Sequence, residues 1–99
     1  MADAWDGVST AFLVRRQVSR RCPRPSPGTI DALVAPLSVS VDVLTFAAFG
    51  CVVRAYRFAD GSVLEVHCGN NEVASMHDYS ADGIVRRMTE ASDTLVRYI

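Results

Sequence analysis

The chain has 99 residues and no lysine; all ten of its Lys/Arg-type cations are arginine. Arginine codons are largely GC-rich and lysine codons AT-rich, so this bias points to a GC-rich genome, that of a bacterium or of a phage or mobile element living in one. Also absent are C-x-x-C pairs, a G-x-S-x-G elbow, a Gly-rich phosphate loop and an H-E-x-x-H helix, which removes the common signatures of zinc, serine-hydrolase and nucleotide chemistry. The three cysteines, Cys22, Cys51 and Cys68, are an odd number and form no disulfide framework. Residues 1–7 lack the basic start of a secretory signal, and together with the cysteine count this gives the expectation of a cytoplasmic protein with reduced thiols. Net charge is only −1, which excludes a polyanion mimic and a broadly basic nucleic-acid binder.

What is present is the composition of one ordinary globular domain, 49% apolar and 21% charged, long enough to bury a single core without staples. Charge is unevenly placed. Residues 1–28 carry Arg15, Arg16, Arg20, Arg21 and Arg24 against Asp3 and Asp6, a net +3, and residues 29–99 carry a net −4. The chain therefore divides into a basic, Pro-rich N-terminal segment (1–28) and an α+β core (29–99), within one domain (1–99). The longest apolar stretch, residues 32–53, has one charge, Asp42. Its length suits a membrane span, but a mid-span acid costs about 2.5–3.5 kcal/mol and Pro36 interrupts it, so a buried core element is the better reading and no membrane role is expected.

The organising stretch is 51–79. Ala59-Asp60-Gly61 sits between two runs rich in Val, Tyr, Phe and Leu, the pattern of a hairpin with strands near 51–58 and 62–68. Gly69-Asn70-Asn71 is a second turn and 72–79 a further strand. Register stays open: a two-residue loop pairs Phe58 with Val63 and a three-residue loop pairs it with Ser62, and the choice decides whether Tyr56 points inward. Upstream, Leu37, Val39, Val41 and Val43 alternate with Ser38, Ser40 and Asp42 as in a half-buried strand, although one long helix over 29–48 competes. Thr29 is a candidate N-cap for a short helix ending at Pro36. Residues 20–28 hold three prolines in five positions and read as an extended connector. Residues 5–19 fit either strand or helix, with Gly7 and the β-branched residues favouring a strand.

From Ile84 onward a helical wheel gathers Ala91, Leu95, Met88, Ile99, Val85 and Val96 with Ile84 on one arc, opposite Thr89, Glu90, Asp93 and the arginines. Ser80 or Asp82 can cap this helix, and Met88 and Leu95 are expected in the core. The fold class is thus α+β: a small antiparallel meander of three to four strands packed against a C-terminal amphipathic helix, with an N-terminal strand or helix.

Chemistry is sparse. Cys51, His67, Cys68 and His77 are the one soft-ligand set, but His67 and Cys68 are neighbours on a strand and face apart, so neither a metal nor another cofactor is expected. Glu65 and His67, two apart, share a face and could form an acid–base pair, yet no nucleophile accompanies them, and no catalytic residues or enzyme activity are assigned. Five arginines within ten residues could neutralise phosphates, which gives the alternative reading of a nucleic-acid-binding regulator through Arg15, Arg16, Arg20, Arg21 and Arg24. The leading expectation is a small interaction module that inhibits or regulates a partner protein, with Arg54, Tyr56, Arg57, His67, His77 and Tyr79 as candidate contacts, residue types enriched at interfaces. A homodimer is compatible with this. In size and build, and in no motif, the chain is similar to phage- or plasmid-encoded inhibitors of bacterial defence enzymes such as the anti-CRISPR proteins.

Overall fold

The computed structural model describes residues 8–46 and 50–86. Helix α1 spans Thr10–Arg21 and α2 spans Pro27–Val34, followed by a 3-10 turn at Ala35–Leu37. Strands β1 (Ser40–Phe46), β2 (Cys51–Arg57), β3 (Val63–Gly69) and β4 (Glu72–Tyr79) then form one sheet in the order β1-β2-β3-β4, antiparallel throughout. Residues 81–86 are helical. The α+β meander with a helix after its last strand is therefore the architecture the pattern implied, with four strands.

Residues 10–21 are helix, not the strand that their alternation favoured. The reason lies at the helix start, where the first backbone N–H groups have no carbonyl of a preceding turn to bond. Ser9 is the N-cap, its Oγ accepting from the Phe12 N–H at 3.1 Å and its carbonyl from Leu13. The other two donors reach the β2–β3 hairpin: the Thr10 N–H donates to Asp60 Oδ2 at 2.8 Å and the Ala11 N–H to Ser62 Oγ at 3.0 Å. Residues fifty positions away thus complete the cap. Ala11, Val14 and Val18 then fall on one buried face.

The second helix starts earlier than Thr29 suggests. Ser26 is its N-cap, accepting from the Thr29 N–H at 3.1 Å, and Pro27 occupies the first turn, where its missing N–H costs nothing. The extended connector shortens accordingly to residues 22–26.

The central hairpin closes through three residues. The Phe58 N–H donates to the Ser62 carbonyl and the Gly61 N–H to the Phe58 carbonyl, both at 2.9 Å. Only Gly61 takes a positive φ, +83°, so the turn is a type I turn followed by a left-handed glycine rather than a two-residue Asp-Gly turn. In the next hairpin Asn70 and Asn71 both have positive φ, 54° and 63°, a two-residue turn of the primed kind. A bulge between His67 and Cys68 shifts the β3–β4 register by one.

This register points Tyr56, Phe58, Leu64, Val66 and Cys68 at Ala11, Val14 and Val18 of α1 and Ile30 and Val34 of α2, forming the core. On the opposite face Val53, Val63 and Glu65 are buried, and Ile84, also buried, borders the same pocket as Val63 and Glu65. Ser80 caps the helical segment 81–86, its Oγ accepting from the Gly83 N–H at 3.1 Å. Ile84 lies inside as its wheel position implies, while Val85, on the same arc, is exposed. The core roles expected for Met88 and Leu95 lie outside the described residues. The stretch 32–53 is divided among α2, the 3-10 turn, β1 and β2, and among the described residues no helix is long and apolar enough to cross a membrane.

Candidate protein interface

The strand expected to be half-buried is not. Every described side chain of β1 from Ser40 to Thr45 is exposed. The exposed large hydrophobics include Leu37, Val39, Val41, Val43 and Leu44, with Leu37, Val39, Val43 and Leu44 each more than half accessible. The cause is architectural. Helix α1 packs over β3 and β4, and α2 reaches β2, where the Tyr56 hydroxyl donates to Asp31 Oδ1 at 3.0 Å and Arg54 pairs with the same carboxylate oxygen at 3.3 Å. Strand β1, one strand further out, overhangs this helical layer.

The backbone of β1 is as open as its side chains. The Phe58 N–H points to β3, so by the alternation of a strand Arg57, Ala55, Val53 and Cys51 turn their polar groups to β1. Their partners are Ser40, Asp42, Leu44 and Phe46. The N–H and carbonyl groups of Val41, Val43 and Thr45 therefore face outward, along the sheet's free edge. Natural proteins usually guard such an edge with charge, proline or a bulge. Here Asp42 is the sole charge in β1, and Pro36 lies before the strand begins. A second bond to the Arg57 carbonyl from the Val39 N–H, at 2.8 Å, twists the strand only at its start. The other edge, β4, is guarded: Arg15 of α1 pairs with Asp78 at 2.6 Å, and the register shift falls there. A pocket of about 310 Å³ opens beside β1, floored by Leu44, Ala55, Val63 and Ile84 with Asp42, Arg57 and Glu65 also lining it.

The candidate contacts from the sequence are split by the sheet. Tyr56 is fully buried in the core, which removes it from any surface; its phenol is pushed up to about 12 by burial and by the bond to Asp31, against the lowering effect of Arg54. Arg54 lies on the same, helix-covered side. Arg57, His67, His77 and Tyr79 are on the opposite face, Arg57 exposed and directly beside Ser40 of β1. There Glu65 and His67 do meet, at 2.8 Å. His67 and His77 touch edge to face with centroids 4.7 Å apart, and Ser75 Oγ lies 2.9 Å from His77 Nε2. Sequence reasoning missed Ser75; its pairing opposite His67 requires the bulged β3–β4 register.

The arginines likewise separate. Arg15 is tied to Asp78, whereas Arg16 and Arg20 stand one turn apart on the outer side of α1, and Arg21 and Arg24 are exposed. Cys51 and Cys68 sit opposite Gly69 and Val52 and so face apart; all three cysteines are free thiols, and burial raises that of Cys68. Among the described residues no three His, Cys, Asp or Glu side chains converge as a metal site. Comparison with protein-family models, with curated proteins and with solved structures finds no match.

Proposed function

We propose that this protein is a non-enzymatic interaction module, an inhibitor or regulator that works by binding a protein through the β1 edge. The observation that carries this reading is the combination of an apolar, exposed strand with three alternate outward-facing backbone positions, Val41, Val43 and Thr45. Exposed, flat, hydrophobic edges template the addition of another strand: main-chain hydrogen bonds supply affinity and alternate side chains supply specificity. Arg57 and the adjoining pocket give this edge a polar rim and a recess for a partner's side chain.

The test exploits the direction of one N–H group. Val43→Pro removes an outward donor and leaves the β1–β2 ladder intact, because proline is tolerated on an edge strand when its nitrogen faces solvent. Tagged wild-type protein is expected to retain a stoichiometric protein partner that Val43→Pro loses while keeping its circular dichroism spectrum. Equal capture by both proteins moves the binding surface elsewhere. Turnover in a broad substrate screen would replace the reading by an enzymatic one.

A further inference from the structure

We infer that the strand received by the β1 edge is β1 of a second copy of this chain, joined across a two-fold axis at Val43. The inference rests on the reading of β1 as a docking edge and names its occupant. An antiparallel partner must place outward positions opposite outward positions, here Val41, Val43 and Thr45. Centring the axis on Val43 puts Val43 opposite itself and Val41 opposite Thr45 of the second copy, so all three positions exchange both bonds, about six in total. Neighbouring registers are poorer. An axis at Asp42 sets two carboxylates directly opposite one another, which is destabilising, and leaves Thr45 without an outward β1 counterpart. An axis at Leu44 leaves Val41 without one.

Side chains agree with the same register. On one face Val41, Val43 and Thr45 meet their symmetry mates, β-branched residues all, the type that packs best across strands. On the other, each Asp42 lies opposite Leu44, and the two carboxylates are diagonal rather than opposed. With only one charge per strand, the edge carries little to repel its own copy. The product is a continuous eight-stranded sheet in which β4, guarded by α1, forms both outer edges. It also displays the face of Arg57, His67 and His77 twice, related by the two-fold axis.

Sedimentation equilibrium of the full chain over a concentration series tests this, with a dimer expected at twice the 10.8 kDa chain mass. Val43→Pro should weaken association by about tenfold or more, and Val43→Lys, which keeps the donor but adds edge charge, should do the same if proline disturbs folding. Asp42→Asn, which relieves the diagonal repulsion, should tighten it by roughly two- to five-fold. Register is tested by oxidising proteins in a Cys22→Ser/Cys51→Ser background. A mixture of Asp42→Cys and Leu44→Cys chains should cross-link, and neither alone. A chain that stays monomeric at every concentration overturns the second-copy assignment, while the edge reading is still judged by capture of a different protein. A dimer that survives both Val43 substitutions and gives no mixed cross-link overturns the β1 edge as its seat, and the reading with it.

Discussion

Asp60 ties the start of α1 to the β2–β3 turn through one carboxylate. It accepts from the Thr10 N–H at the start of α1, and from both the N–H and the hydroxyl of Ser62. Partial burial pushes its carboxyl up, but the bonds from Ser62 and Thr10 outweigh that and hold it at about 2, against an ordinary value of 3.8. The folded state therefore prefers the charged form, and the stabilisation is complete above the ordinary carboxylate range and is lost as pH falls toward 2. Because the group is largely solvent-exposed, screening limits its contribution to on the order of 1 kcal/mol. Asp60→Ala should cost about 1–2 kcal/mol at pH 7, from the lost cap and the Ser62 hydroxyl left without an acceptor. Urea melts at pH 7, 4 and 2.5 should show the gap to wild type closing with acid. Tyr56 gives the opposite limb. Its phenol ionises only near 12 in the fold but near 10 when unfolded, so stability falls as pH rises above 10. Tyr56→Phe, which cannot ionise, should flatten that alkaline loss while costing about 0.5–1.5 kcal/mol near neutrality through the lost bond to Asp31. Melts at pH 7 and pH 11 check both halves.

The β2–β3 turn tolerates little substitution at its glycine. Gly61 has a φ of +83°, and a Cβ added there would lie 3.1 Å from the Ala81 Cβ, where the C-terminal helical segment begins. Gly61→Ala should therefore cost about 1–2 kcal/mol for the left-handed backbone alone, with crowding added. Gly28→Ala, in α2 and open to space, should be neutral or slightly stabilising. Denaturant melts of the two alanine variants make the comparison. The sheet was the legible part of this chain. Turn residues at 59–61 and 69–71 and the runs around them carry local information, and a local signal survives in one sequence. Helix α1 was not, because Asp60 and Ser62 satisfy two of its first three N–H groups; only Ser9 and the spacing of Ala11, Val14 and Val18 announced it. The proposed β1 interface was legible only as a strand, and none of the contacts read from the sequence, Arg54, Tyr56, Arg57, His67, His77 and Tyr79, lies in it. Alternation from Leu37 to Val43 identified a strand, but the same pattern describes an edge and a covered strand equally well. Only the placement of α1 and α2 over β2–β4 decides that, among the described elements, no helix packs on β1.

For the molecule as a whole, the basic and apolar features stand apart. The arginines of the N-terminal cluster belong to α1 and its connector, and α1 packs on β3 and β4, whereas β1 forms the opposite edge of the sheet. Two surfaces so separated should behave independently, and that makes the nucleic-acid alternative measurable on its own. All five arginines of the cluster are exposed, but Arg15 is engaged with Asp78, which leaves Arg16, Arg20, Arg21 and Arg24 for phosphate. Four phosphate contacts would give a log–log slope of affinity against salt of about −3 to −4 on duplex DNA. With a net charge of −1 and no aromatic side chain interleaved among these arginines to stack on bases, an interaction module is expected to show no such binding near physiological salt. Fluorescence anisotropy on duplex and single-stranded oligonucleotides across a salt series decides between them. A slope in that range that flattens on Arg16→Ala/Arg20→Ala/Arg21→Ala/Arg24→Ala would assign the α1 surface a nucleic-acid role. In either event the same quadruple variant should leave the concentration dependence of β1-mediated self-association unchanged, since none of the four side chains lies on that edge.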